Sequence, residues 1–169
     1  MQDVDAILDI LADGREAIAS LGIDQWQSDY PWRDMVESDI EREVSHVIEL
    51  EGRILGTAVF DTAGEELYDS IDGSWLTESQ SDNPNYVVIH RIAVHRSAKG
   101  LGFAKQLLDY ASHLGKQHGC SSVRIDTHPG NIPMRTLIGQ NGFSECGIIY
   151  LRPLYQETLE RIAYEKLIG

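Results

Sequence analysis

The chain has 169 residues, 42% of them hydrophobic, which suits one domain over residues 1–169 with a real core. Its 27 acidic residues against 14 basic ones give a net charge of −13, which argues against a nucleic-acid binder because phosphate contacts need a basic face. Two cysteines, Cys120 and Cys146, make neither a disulfide framework nor a metal site, and without a basic leader or a membrane-length apolar run the expectation is a cytoplasmic, metal-free protein that does not enter a membrane.

In chain order, Val4, Ile7, Leu8, Leu11, Ile18 and Leu21 mark an amphipathic first helix that ends near Gly22. Residues 33–43 read as a second, more polar helix. Residues 46–50 and 54–60 read as a hairpin about Glu51-Gly52. Residues 61–85 are acidic and rich in turn formers, a long excursion with Trp75 and Leu76 as apolar anchors. The β-branched run from Val87 to Val94 is a strand whose alternation puts His90, Ile92 and Val94 on one face. Ala104, Leu107, Leu108, Ala111 and Leu114 form one buried face of a helix closed by Gly119, and SSVRID follows as a strand. Pro133 and Gly142 bracket a short helix, and residues 146–151 and 161–167 are two last strands. Strands alternating with helices, with hairpins at both ends, give an α/β fold around a mixed sheet.

The stretch VVIHRIAVHRSAKGLGFA, residues 87–104, carries the chemistry. A strand enters a basic glycine turn that opens onto a helix, so backbone N–H groups and the helix N-terminus converge on an anion, and a phosphate-bearing ligand is the natural occupant. A P-loop would need Gly-Lys-Ser/Thr, but Lys99 precedes Gly100 and no hydroxyl residue follows. A dinucleotide reading, with Asp126 on a ribose, would make the chain an oxidoreductase. It meets Lys105 where a third small residue belongs, and glycines lying well past the strand tip.

Strand, K-G-x-G turn, amphipathic helix, strand, N-x-x-M and a short helix ending in N-G-F together resemble the GNAT acetyltransferases over residues 87–143. The resemblance implies a mostly antiparallel central sheet flanked by helices and acetyl-CoA as co-substrate. It places the pyrophosphate on the turn formed by Ser97, Ala98, Lys99, Gly100, Leu101, Gly102, Phe103 and Ala104, the pantetheine along Ile92, Ala93 and Val94, and Asn131 on the family's asparagine. Ser97 stands where the family usually has Arg or Gln. Ile138 stands where many members carry the tyrosine that protonates the departing thiolate. The GNAT sheet also usually opens with a strand before the first helix, for which this chain begins late.

Acyl transfer to an amine needs a base, because free amines are mostly protonated at neutral pH. Asp126, at the strand end facing the implied thioester, is the first candidate, and His90 the second. His128, beside a Pro-Gly turn, reads equally as a loop residue. Tyr150 is the substitute acid. Trp26, Tyr30 and Trp32, in the segment joining the first two helices, and Trp75 opposite them, are candidate walls for the acceptor, a small amine or a protein N-terminus or lysine, which an acidic protein would attract. A homodimer remains open, as does a non-catalytic acyl-CoA sensor.

Overall fold

The computed structural model describes residues 2–27, 30–152 and 159–169. Helix α1, Val4–Ala19, turns Val4, Ile7, Ile10, Leu11 and Ile18 inward, the one-face spacing its sequence requires. Helix α2, Arg33–Glu41, buries Val36 and Asp39. Strands β1, Ser45–Leu50, and β2, Arg53–Asp61, form an antiparallel hairpin. Glu51 and Gly52 at its tip both have positive φ, 52° and 75°, as the tightest hairpin turn demands. No strand precedes α1 among the described residues.

The excursion contains a 3₁₀ turn, Glu66–Ser70, and a two-residue strand β3, Asp72–Gly73. Strand β4, Tyr86–Val94, leads through a second 3₁₀ turn, Arg96–Ala98, into α3, Phe103–Gln117. Strand β5, Ser122–Thr127, helix α4, Ile132–Gln140, and strands β6, Ser144–Tyr150, and β7, Glu160–Leu167, complete the chain. The seven strands make one sheet in the order β1-β2-β4-β5-β7-β6-β3, antiparallel except for β4 beside β5. The mixed, mostly antiparallel sheet of the sequence reading is therefore present.

Helix α3 covers one face of the sheet, with Leu107, Leu108 and Ala111 against Ala58, Val87, Ile89, Val123 and Ile125. Full burial of each such aliphatic side chain contributes roughly 1.5–3 kcal/mol. Helices α1 and α2 cover the other face near Ala93, while Tyr68, Tyr86, Val88, Ile149 and Ala163 form a third cluster under the excursion. No described helix is long and apolar enough to cross a membrane.

Candidate active site

Strands β4 and β5 run parallel but pair only between Tyr86–Ile89 and Ser122–Ile125. Beyond that point each continues, β4 to Val94 and β5 to Thr127, with no pairing between them. The cause is a bulge. On β2, Val59 pairs with His90 and Thr57 with Ala93, so Ala58 faces two residues, Arg91 and Ile92. A bulge bends its strand, and this one bends β4 away from β5. Arg91 takes φ 50°, which costs a non-glycine residue about 1–3 kcal/mol. Its guanidinium offsets that cost by donating to both carboxylate oxygens of buried Asp39, at 2.8 and 3.0 Å, and to the Tyr30 hydroxyl at 3.3 Å. The bulge also corrects the expected alternation: Ile92 packs with the α3 core, whereas Ala93 packs with α1, so His90 and Ile92 do not share a face.

The parted strands open a cleft of about 490 Å³. Asp126, at the end of β5, lines it and accepts a hydrogen bond at 2.8 Å from Tyr68, which the excursion carries in from the other side. Burial raises the Asp126 carboxyl above the usual aspartate range, against the Tyr68 hydrogen bond and the Arg161 charge, which favour ionisation. Tyr68 itself is fully buried, and burial together with the Asp126 charge pushes its phenol well above the ordinary value. Glu65, immediately after Gly64, approaches His90 Nε2 at 3.5 Å. Burial raises Glu65 as well, and the Asp126 charge adds to that effect. Burial, then the neighbouring Arg91 charge, pulls the His90 imidazole down to about 4. His90 is therefore neutral at physiological pH.

Two devices hold the excursion over the cleft. Arg124 on β5 is wholly buried between the rings of Trp75 and Tyr86, 4.2 and 3.9 Å from their centroids. It donates to Glu165 at 3.0 Å and to the carbonyls of Thr77 and Ser79 at 3.0 and 3.2 Å. Glu165 also accepts from Ser122 and Thr77 hydroxyls at 2.5 Å and from the Leu76 amide. At the far edge, Gly73 of β3 pairs with Gly147 of β6, at φ 144° and 147°. A Cβ on either would collide with the opposing backbone, so the strands meet only because both positions lack one.

The glycine turn lies at the end of β4. Gly100 and Gly102 take φ 80° and 82°, and the space a Cβ would fill at each is open. Gly102 caps α3, so the first-turn amides of Phe103, Ala104 and Lys105 have no intrahelical acceptor. Arg96 is turned away from this cradle, its backbone N–H and guanidinium both bonded to buried Asp13 of α1, at 2.7 and 2.6 Å. Burial opposes ionisation of Asp13, but these bonds prevail and hold its carboxyl below the usual range. An open, amide-lined turn beside an unpaired strand edge fits a phosphate-linked ligand with an extended, strand-like arm.

The acetyltransferase (GNAT) family model matches residues 5–143. The chain belongs to the GNAT acetyltransferase family. A GNAT acetyltransferase of Streptococcus agalactiae 2603 is 32% identical, with TM-score 0.83, over 99% of this chain and 91% of that one. An assigned acetyltransferase of Staphylococcus aureus Mu50 is 27% identical, with TM-score 0.71, over 100% and 95%. A ribosomal-protein-alanine N-acetyltransferase of Brucella melitensis, 19% identical with TM-score 0.69 over 98% and 94%, shares the fold. No curated protein sequence matches the chain. GNAT members use acetyl-CoA as co-substrate.

Against this family frame, the cleft brings together Asp126, His90, Ile92, Asn131, Trp26 and Tyr30. Asn131 uses Oδ1 to cap α4, accepting from the Met134 amide at 3.2 Å. Ala93, Val94 and the turn residues 97–104 do not line the cleft, and three further candidates lie elsewhere. Tyr150 is 47% exposed, while its neighbours Ile149 and Leu151 line the cleft, so strand alternation turns Tyr150 the opposite way. Trp75 stacks on Arg124 and donates its indole N–H to the Tyr68 carbonyl at 2.9 Å. Trp32 stands edge-on to Tyr30 and lines a separate groove on α1. Ile138, at the family's tyrosine position, is buried in the α3-side core. His128 is buried, and its Nε2 faces Asp24 at 3.5 Å. Tyr68, Glu65, Gln25 and Arg161 line the cleft without having been singled out. No local pattern marks them, since each reaches the cleft through the sheet topology.

Proposed function

We propose that this protein transfers the acetyl group of acetyl-CoA directly to a primary amine, with Asp126 as the base. The observation that carries the reading is the half-buried Asp126 carboxylate lining the cleft that opens where β4 and β5 part, with an open amide-lined glycine turn following β4 in the chain. Acetyl-CoA supplies an acyl thioester and, once the acyl group has left, a thiolate. The turn from Ser97 to Ala104 holds its pyrophosphate, and the unpaired edge of β4 at Ile92, Ala93 and Val94 holds its arm. Asp126 takes the proton of the incoming ammonium on the carboxylate oxygen that Tyr68 does not hold. Its raised affinity for protons suits this step better than an ordinary aspartate would. The free amine then attacks the thioester carbon, and edge amides of β4 donate to the oxyanion. Collapse expels the thiolate, and the nitrogen sheds its second proton to solvent as the amide forms. Tyr68, in contact with Asp126 and lining the same cleft, is better placed than Tyr150 to relay a proton to it. The protein works in the cytoplasm.

Thiol release tests this directly. Incubation with acetyl-CoA and a panel of primary amines should release one thiol per N-acetylated amine. Saturable acetyl-CoA binding with no release on any amine would establish a sensor instead.

A further inference from the structure

The turn that leaves β4 carries a short hydrogen-bond chain ahead of its glycines. The backbone N–H of exposed Ser97 donates to His95 Nδ1 at 3.1 Å, and the Ser97 hydroxyl oxygen lies 2.8 Å from the same nitrogen. A nitrogen that accepts carries no hydrogen, so the neutral ring bears its proton on Nε2 and the Ser97 hydroxyl also donates to Nδ1. One lone pair thus serves both donors of Ser97.

Behind the ring stands Asp13 of α1, its Oδ2 3.7 Å from His95 Nε2. Asp13 is buried and held ionised by its bonds to the Arg96 N–H and guanidinium. Arg96 itself is shared between Asp13 and Glu16, and Lys99 is the other cation of the turn. Strand β2 meets His95 through an uncharged group, the Leu55 carbonyl, which accepts the His95 N–H at 2.9 Å.

A proton added at Nδ1 reverses this arrangement. The ring then donates from Nδ1 to the Ser97 hydroxyl oxygen, and the Ser97 N–H and O–H are both released. The imidazolium faces the Asp13 carboxylate and sets a positive charge at the start of the turn. The amides of Ala98 and Leu101 have no such freedom, being bonded to the His95 and Ala98 carbonyls at 2.9 and 3.3 Å. Only at Ser97 does the number of donors offered by the turn depend on a proton.

We infer that His95 and Ser97 form a proton-coupled anion-binding pair. A pyrophosphate seated on the turn receives the Ser97 N–H and O–H, and His95 takes one proton from solvent in the same step. This rests on the acetyl-CoA reading above. The two bonds to Nδ1 are exchanged for one bond from Nδ1–H to Ser97 Oγ and two to phosphate oxygens. Because the bound state holds the extra proton, affinity strengthens as pH falls and weakens as it rises.

Calorimetric titration of acetyl-CoA in buffers of differing ionisation enthalpy counts the protons taken up. His95→Asn is the comparison, since asparagine accepts the N–H two residues on and keeps the turn capped, yet cannot be protonated. Near pH 7 the wild type should take up about half a proton more than this variant. Between pH 6 and 8 its Kd should rise about tenfold more than the variant's. The 3′-phosphate of the ligand also titrates near pH 6, equally in both proteins, and cancels in the difference. Ser97→Ala should weaken binding at pH 6 by roughly fivefold, through loss of the hydroxyl bond alone. Equal proton uptake in wild type and His95→Asn, parallel pH dependence, or an unchanged affinity in Ser97→Ala would each overturn the inference. If the wild type binds no acetyl-CoA at any pH, the co-substrate reading fails separately. Inorganic pyrophosphate, put through the same comparison, then decides the pair by itself.

Discussion

Tyr68 donates its phenolic hydrogen to Asp126 Oδ1 at 2.8 Å, tying the excursion after β2 to the tip of β5 across 58 residues of sequence. The bond acts on both partners. It favours the ionised form of a carboxylate that burial disfavours, and it sets a hydroxyl beside that carboxylate in the cleft lining.

Asp126→Asn keeps the shape and removes the proton acceptor. The rate should fall by about a hundredfold or more with acetyl-CoA affinity nearly unchanged. Stability should move the other way. The folded protein holds the Asp126 proton more tightly than the unfolded chain does, so the ionised carboxylate opposes folding once pH rises past the ordinary aspartate value. Melting at pH 7 should therefore be higher in the variant, and the gain should vanish below about pH 4.

Tyr68→Phe should change the pH–rate profile in a definite direction. As the proposed base, Asp126 must be ionised for transfer, so kcat/KM is expected to rise with pH through its folded value. Removing a hydrogen bond that lowers that value must move the acid limb to higher pH. A limb that stays in place would show that Asp126 is not the group titrating. Were His90 the base, the limb would sit at about 4.

Gly102→Val should affect the glycine turn more than the fold. A Cβ at this position has no protein atom within 4 Å, so the side chain enters the open space beside the amides, and φ 82° strains a β-branched residue by about 1–3 kcal/mol. Isothermal titration should show loss of acetyl-CoA binding in a protein that still melts cooperatively.

Gly147→Ala should release the excursion. The added methyl collides with the Asp72 carbonyl, and overpacking plus the unfavourable φ cost at least about 2 kcal/mol. Tyr68 and Glu65 ride on the same excursion, so turnover should fall with stability. Hydrogen exchange should rise first in residues 63–80.

The fold was largely readable because its signals are local. The buried face of α3, the Glu51-Gly52 turn and the K-G-x-G segment each occupy one short window. Asp126 and His90 were readable for the same reason, as titratable residues at marked places in strands. The excursion was not. Its anchors, Tyr68 to Asp126, Thr77 to Glu165 and Gly73 to Gly147, join residues 58 to 88 positions apart, and nothing nearby announces the partner. Tyr150 illustrates a second obstacle, since strand parity decides which side chain faces the cleft and a strand boundary alone does not reveal it. Gln25 carries no signal at all until its surroundings are known.

The bulge at Arg91 shows how little chain the ligand opening requires. One surplus peptide unit, about 3.3 Å of strand, lies between His90 and Ile92, and side chains beyond it still reach the layers that a regular ladder would give them. The core does not register the insertion, while the strand's hydrogen-bonding edge is freed over its last residues. The opening is thus an edit in length rather than in composition. Removing that one residue, together with Asp39→Asn to spare a stranded charge, should let β4 close onto β5 and leave a well-packed protein with no room for its co-substrate.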